Sequence, residues 1–443
     1  MPEIPGDARQ GTSYVPLVER VRVGLLGCGN VGGALVAILQ RDADAIAART
    51  GVRLEVTRIA VRSVAKERSV AIDPGILTHD TSDVVADPDI DVIVEVIGGI
   101  EPARTLTLNA IKAGKPVVSA NKELIANVGQ ELFEAASTAG VDFLFEAAVG
   151  GGIPVIRPLR ESLAGERIRR VTGIVNGTTN YILTRMTEEG ADYNTALAEA
   201  QQLGYAERDP TADVEGYDAG AKAAILATIA FGARVVAGDV YREGISGVTA
   251  ADIAYAQHLG YAVKLVAIAE QSDSGEVSVR VHPAMVPVTH PLASVRDSFN
   301  AVFIEGESVG ELMLYGRGAG GMPTASAVLG DLIDAAHNLR SGGVGRTPLP
   351  VPAPLRSIDE LTSAYYLDLE VLDRPGVLAR VAGVMGDHGV SIKSMEQEDT
   401  GAGARIVFIT HTARERDIQT CLTELRSLDV VARVGTLLRV LGS

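Results

Sequence analysis

The segment 204–222, GYAERDPTADVEGYDAGAK, concentrates the chemistry of this chain. It sets the carboxylates Glu207, Asp209, Asp213, Glu215 and Asp218 against few bases and ends on Lys222, which opens an apolar helical run. Asp218 and Lys222 stand in an i, i+4 relation, so a helix puts them on one face, one turn apart. A lysine fixed among carboxylates is a positioned acid rather than a solvated charge. The same carboxylates can hold a substrate ammonium group. Acids at a helix start are also favoured by the helix dipole alone, so the segment needs support from the rest of the chain.

That support begins at Gly27-Cys28-Gly29-Asn30-Val31-Gly32, a G-x-G-x-x-G between the apolar run VRVGLL and the helical run ALVAILQ. Gly27 permits the tight turn. Gly29 lets a pyrophosphate approach the backbone, where helix N-terminal amides bind it, and Gly32 lets helix and strand pack closely. The acid that would grip a ribose hydroxyl at the end of the second strand is missing. That strand, predicted over 54–62, ends Ala60-Val61-Arg62-Ser63 with Lys66 nearby. Arg62 there accommodates a 2′-phosphate, which favours NADP. Ser119-Ala120-Asn121-Lys122 follows a short predicted strand, and ligands of open α/β sheets bind beyond the carboxyl ends of strands. Lys122 is therefore placed near cofactor or substrate. Aldehyde oxidation through an acyl-enzyme needs an accessible thiol. Cys28, the only cysteine near this loop, lies inside the glycine turn, which favours carbonyl–alcohol hydride transfer. The seven histidines show no metal-ligand spacing with other soft ligands, and the acidic segment has no EF-hand pattern.

The elements that must position these residues follow from the pattern. Apolar runs at 21–26, 54–62, 91–97, 116–119 and 141–150 alternate with helical stretches, which predicts a doubly wound parallel sheet. After Gly150 the alternation stops. A helix is predicted behind Pro154, then a strand, a turn at NGTTN and a helix over 167–183. A helix over 217–232 and strands over 277–287, 300–307 and 311–318 follow. This is the texture of an α+β domain on a mostly antiparallel sheet. A second glycine cluster, GRGAGG, precedes a helix over 324–339. The glycine- and proline-rich stretch 341–358 reads as a linker. Beyond it the order is βαββαβ, a ferredoxin-like arrangement. The expected organisation is an arm at 1–18, a dinucleotide-binding domain at 19–150 completed by 318–342, a substrate and dimerisation domain at 151–317, a linker at 343–360 and a regulatory domain at 361–443.

Bulk composition narrows the function. The chain has 443 residues, 47% apolar and 22% charged, with a formal net charge of −16. That charge disfavours nucleic acid or an anionic membrane as the main partner. The most apolar stretches, DVIVEVIGGI and AAILATIAFGA, are too short to span a bilayer. Two cysteines make neither a disulfide framework nor a zinc site, and the start carries no secretory signal, so a reducing cytoplasm is expected.

VRVGLLGCGNVGG, SANKELIA, EAAVGGGIPVI, GIVNGTTNYIL, GYAERDPTADVEGYDAGAK and GRGAGGMPTASAV together resemble homoserine dehydrogenase, in family order over residues 20–350. The tail resembles an ACT domain opening on DRPGVL, an arrangement similar to the monofunctional bacterial enzymes. The resemblance implies reversible NAD(P)H-dependent reduction of L-aspartate 4-semialdehyde to L-homoserine. It implies Lys222 as proton donor and Lys122 as a second lysine at the reacting end. Glu207, Asp213 and Asp218 match the acidic substrate pocket, with Asn176, Gly177, Thr178 and Tyr205 nearby; Glu207 with Asp213 or Asp218 would pair with the ammonium. Gly204, Gly321, Ser119 and Lys122 join Gly27, Gly29, Asn30, Val31, Gly32 and Arg62 at the cofactor. Glu146, Val149, Gly151 and Ile153 match a monovalent-cation site, commonly sodium, built largely of backbone carbonyls. The tail implies feedback control, with threonine as effector at loops 373–378 and 389–392, in a homodimer or homotetramer. Two other readings compete: a non-catalytic amino-acid sensor, and a different small-molecule dehydrogenase on the same scaffold.

Overall fold

The computed structural model describes residues 19–345, 349–399, 401 and 403–442. The expected arm at 1–18 and residues 346–348 of the linker lie outside the described residues. Chain order begins β1 (Glu19–Leu26), α1 (Asn30–Thr50), β2 (Val52–Ala60), β3 (Leu77–Thr78), α2 (Ser82–Val85), β4 (Val92–Glu95), α3 (Ala103–Lys112), β5 (Val117–Ser119), α4 (Lys122–Ala139) and β6 (Phe143–Leu144). The six strands form one parallel sheet in the order β3-β2-β1-β4-β5-β6. The order reverses between β1 and β4, which opens a crevice at the carboxyl edge where a dinucleotide binds. Val23, Leu25, Val92 and Val94 face one side of the sheet, Leu26, Ile93 and Val117 the other, all essentially inaccessible. Burial on both faces explains why these strands read as continuous apolar runs.

The chain continues through β7 (Ile168–Ile174), α5 (Gly177–Glu189), α6 (Tyr193–Gln202), α7 (Thr211–Val214), α8 (Tyr217–Phe231), β8 (Tyr241–Arg242), α9 (Ala250–His258), β9 (Tyr261–Gln271), β10 (Val277–Pro287), β11 (Phe299–Gly306) and β12 (Gly310–Arg317). It then returns as α10 (Gly321–Ser341), which packs against α1 with Val328 and Leu332 in the same core as Leu35 and Val36. The C-terminal part runs β13 (Thr362–Val371), α11 (Val377–Asp387), β14 (Ile392–Asp399), β15 (Ala404–Thr410), β16 (Ala413–Arg414), α12 (Glu415–Ser427) and β17 (Val431–Val440). Its four long strands are antiparallel in the order β17-β13-β15-β14, the ferredoxin-like topology.

The C-terminal strands join the catalytic ones in a single mixed sheet, β12-β11-β7-β9-β10-β17-β13-β15-β14. The seam is a short parallel pairing of β10 with β17, Ala284 beside Arg439 and Met285 beside Val440. The C-terminal part also has its own apolar core, with Leu367, Val381, Phe408, Ile418 and Leu425 buried.

Several elements differ from the sequence expectation. The strand expected over 141–150 stops at Leu144. The Glu146 amide donates to Asp331 (2.8 Å) and the Glu146 carboxylate accepts the amides of Val155, Ile156 and Arg157, which curls the chain into a tight turn. NGTTN is no turn: the Asn176 side chain accepts the Thr179 amide at 2.9 Å and caps α5. The segment behind Pro154 forms only a short wide turn, Pro158–Ser162. The strand expected over 54–62 ends at Ala60, which leaves Arg62 on the loop beyond.

Candidate active site

At the glycine turn, Gly27 has φ +99. A Cβ at residue 32 would lie 2.4 Å from the Gly27 carbonyl oxygen, so only glycine lets α1 start this close to β1. No side chain caps α1, which leaves its first amides for an anion. Gly29 and Asn30 are exposed there, and Gly321 brings the start of α10 against Asn30. Arg62 is exposed beyond β2. Arg68, which sequence reasoning passed over, reaches back to the carbonyls of Ser63 (2.6 Å) and Lys66 (2.8 Å) and fixes this loop. Burial pushes the Cys28 thiol up against the opposing Arg68 charge, so it is a poor nucleophile.

Glu95 closes β4 with its carboxylate inaccessible to solvent. It accepts the Ile97 amide (2.8 Å) and the Ser119 hydroxyl (2.7 Å). Ser119 thus turns inward and is fully buried. The Asn121 backbone amide donates to the same Ser119 oxygen (3.1 Å), and the Asn121 side chain caps α4 by accepting the Leu124 amide (3.1 Å). This network places Lys122 at the first turn of α4, on the carboxyl edge of the sheet. An acid ending the apolar run VIVE was the signal available for Glu95.

Lys122 and Lys222 meet on one carboxylate. Lys122 Nζ lies 2.6 Å from Asp218 Oδ1, and Lys222 Nζ lies 2.7 Å from Asp218 Oδ2. Lys222 also donates to the Val175 carbonyl at 2.6 Å. Asn176 Nδ2 bridges Asp213 Oδ1 (2.7 Å) and Asp218 Oδ2 (2.9 Å). Lys222 and Asp218 are buried, whereas the Lys122 side chain is 38% exposed. An ammonium has three donors. Two are used at Lys222, so one remains there, and Lys122 keeps more. Burial alone would raise Asp218, but Lys222 and Lys122 hold it well below the usual carboxylate range. Burial alone would lower Lys122, but the charge and hydrogen bond of Asp218 carry it above the ordinary lysine value. A depressed acid contributes stability above its unfolded value and loses it only as pH falls through the folded one. A raised lysine contributes below its unfolded value and loses it as pH rises through the folded one. Between the ordinary values of 3.8 and 10.5 Asp218 and Lys122 therefore stay charged.

The other expected substrate residues gather around this cluster. The Thr178 hydroxyl donates to the Tyr205 carbonyl at 2.7 Å, and the Tyr205 ring packs on Tyr181. The amides of Gly177 and Thr178 at the start of α5 donate no hydrogen bond among the described residues. Asp213 is half-buried. Glu207 is exposed, and its carboxylate makes no hydrogen bond or ion pair among the described residues. Gly204 turns the chain beside Tyr205; nothing among the described residues ties it to the glycine turn.

Glu146, Val149, Gly151 and Ile153 line a buried turn held against Arg317, with the Gly152 amide on the Arg317 carbonyl at 3.1 Å. No hydrogen bond reaches the carbonyls of Val149, Gly151 or Ile153 among the described residues, and Glu146 O receives only a 3.5 Å contact from Val149. The Glu146 carboxylate is already saturated by amides. Beside it, burial pushes Asp331 up to about 7.

Family models match three stretches: "Homoserine dehydrogenase, NAD binding domain" over 27–146, "Homoserine dehydrogenase" over 154–333 and "ACT domain" over 365–430. A homoserine dehydrogenase of Corynebacterium glutamicum is 50% identical over 95% of both chains. One of Mycobacterium tuberculosis is 51% identical over 96% of this chain and 98% of its own. The crystal structure of a homoserine dehydrogenase from Thiobacillus denitrificans superposes with a TM-score of 0.90 at 42% identity, covering 95% of this chain and 98% of its own. A hyperthermophilic archaeal homoserine dehydrogenase in complex with NADPH gives 0.62 at 31% identity, covering 72% and 98%. No helix among the described residues is long and apolar enough to cross a membrane.

Asp218→Asn tests the cluster. Both ammonium groups lose their anion, and burial then drags Lys122 down. The expected result is a fall in kcat of at least about a hundredfold, with the alkaline limb of the pH profile moved to lower pH. Near-normal turnover with an unmoved limb rejects the cluster as machinery.

Proposed function

The chain belongs to the homoserine dehydrogenase family, and from that premise we propose which residues carry each part of the reaction. It is an NAD(P)-dependent oxidoreductase acting on a CH–OH group, reducing L-aspartate 4-semialdehyde reversibly to L-homoserine. The observation that carries the assignment of roles is the buried carboxylate Asp218 shared by Lys122 and Lys222.

Gly27, Gly29, Asn30, Val31 and Gly32 hold the dinucleotide pyrophosphate, with Gly321 packed behind. The uncapped start of α1 fits that role. A bound nicotinamide supplies hydride to the aldehyde carbon. The chain's own residues do the rest. Glu207 and Asp213 pair with the substrate ammonium, because Asp218 is already occupied by two lysines. The free amides of Gly177 and Thr178 receive the carboxylate at the helix start. As negative charge grows on the carbonyl oxygen, the spare N–H of Lys222 stabilises it and passes a proton to it, with Lys122 beside it. A non-catalytic sensor would have no use for two lysines held on one buried acid.

Finer readings rest on more local support. Arg62, exposed past the strand end with no competing acid there, favours NADP over NAD. The unoccupied carbonyls of Val149, Gly151 and Ile153 suit a monovalent cation, sodium by resemblance, and such an ion would brace the turn rather than touch the reacting atoms. The ACT match supports threonine feedback through loops 373–378 and 389–392, and β12 and β14, at the two ends of the sheet, have no strand partner on their outer edges among the described residues, which suits assembly as a homodimer or homotetramer.

Lys222→Ala should lower kcat by about a hundredfold or more while NADPH still binds; near-normal turnover removes the role. Initial rates of the intact enzyme check the finer readings. We expect a lower KM for NADPH than for NADH, higher activity in sodium than in choline, and inhibition by threonine that weakens in Asp373→Asn. Equal values in any comparison remove the corresponding reading, and a monomeric mass in solution removes the oligomer.

A further inference from the structure

Arg439 is 2% exposed at the seam between the two halves of the large sheet. Its guanidinium is divided between two carboxylates. One is Glu415 in its own C-terminal part, at 2.6 and 2.8 Å; the other is Glu243 in the catalytic part, at 2.8 and 2.9 Å. Tyr365 donates to Glu415 at 2.9 Å, and Tyr241 donates to Glu243. Glu415 is held entirely from within the C-terminal part, whereas Glu243 takes Tyr241 from its own part and Arg439 from the other, so neither part can shift here without breaking the Arg439–Glu243 pair.

Glu243 leads directly to the substrate pocket. Its amide donates to Val281 at 2.8 Å, which locks it to β10. The next residues lie on the turn that joins α7 to α8. The Ile245 amide donates to the Val214 carbonyl at 2.8 Å, and a Cβ at Gly244 would fall 2.4 Å from that same oxygen. On the other flank, the Arg242 stem packs on Gly220 and its guanidinium stacks over Tyr217 at 4.8 Å. Val214 follows Asp213, and Gly216 immediately precedes the helix that carries Asp218 and Lys222.

We propose that Glu243 is a positioning residue through which Arg439 of the C-terminal part sets the Asp213–Asp218 turn and hence the grip on the amino-acid substrate. This rests on the pocket assignment above, but it fails separately: Lys222→Ala can abolish turnover while Glu243 proves inert.

The test is Glu243→Gln in the intact enzyme, with full kinetics for both substrates. The expected result is a rise of about tenfold in KM for homoserine, with KM for the nicotinamide cofactor held within about twofold and kcat falling less than the KM rises. Tyr241→Phe, which removes one hydrogen bond and keeps the ion pair, should move homoserine KM in the same direction by less. It decides the matter if Glu243→Gln does not fold. Glu370→Gln breaks the exposed Arg433–Glu370 pair of the same part and should change nothing. Unchanged homoserine KM in a folded Glu243 variant, or both KM values rising together, overturns the proposal. So does an unaltered Tyr241→Phe enzyme when Glu243→Gln does not fold.

Discussion

Asp218 holds two ammonium groups at once, one from each side of the active-site crevice. Lys122 belongs to α4 of the nucleotide-binding part and Lys222 to the helix beneath the substrate pocket. Removing such ions from water costs about several kcal/mol each before pairing offsets it. Hydrogen bonds around the ion pairs help to offset that cost. Asp218 Oδ2 also accepts the Asn176 side-chain amide, Lys222 donates to the Val175 carbonyl, and Asn176 in turn caps α5. A carboxylate so held stays ionised at any working pH, so the two lysines keep their spacing whether or not substrate is present. Electrostatic preorganisation of this kind costs nothing at the moment of reaction.

The rest of the fold serves to keep the two sides in register. Glu95 ties the loops after β4 and β5 together and thereby aims Lys122. α10, which follows the substrate part in the chain, returns onto α1 and completes the nucleotide-binding core. The C-terminal strands extend the catalytic sheet itself, so this part is no loosely tethered appendage. Burial of Arg439 between Glu243 and Glu415 makes the joint a polar one with fixed geometry, a form suited to passing small displacements between packed elements.

Local chemistry was legible in the sequence, and long-range chemistry was not. The glycine turn and the Asp218–Lys222 spacing each lie within a few residues and one periodic element, so their pattern declares them. The same holds for the alternation of strands that gives the parallel sheet and for the βαββαβ tail. The pairing of Lys122 with Asp218 depends on how two units dock, and no spacing within either segment encodes it. For the same reason β10 and β17 read as ordinary strands with no sign that they meet. The strand expected over 141–150 failed because EAAVGG keeps apolar character while Glu146 spends its carboxylate on bending the chain. NGTTN misled because asparagine and glycine signal a turn and a helix start equally well. Glu95 was passed over as one acid in an apolar run, although a buried acid at the carboxyl end of a parallel strand must have donors waiting for it.

A crystal structure of the enzyme with NADP and homoserine bound is the most direct measurement. The account predicts the homoserine hydroxyl oxygen within hydrogen-bond reach of Lys222 Nζ, on the side facing the nicotinamide, with Asp218 still bridging both lysines. A hydroxyl bound away from both ammonium groups, or Asp218 released from the lysines to bind the substrate ammonium, would contradict it.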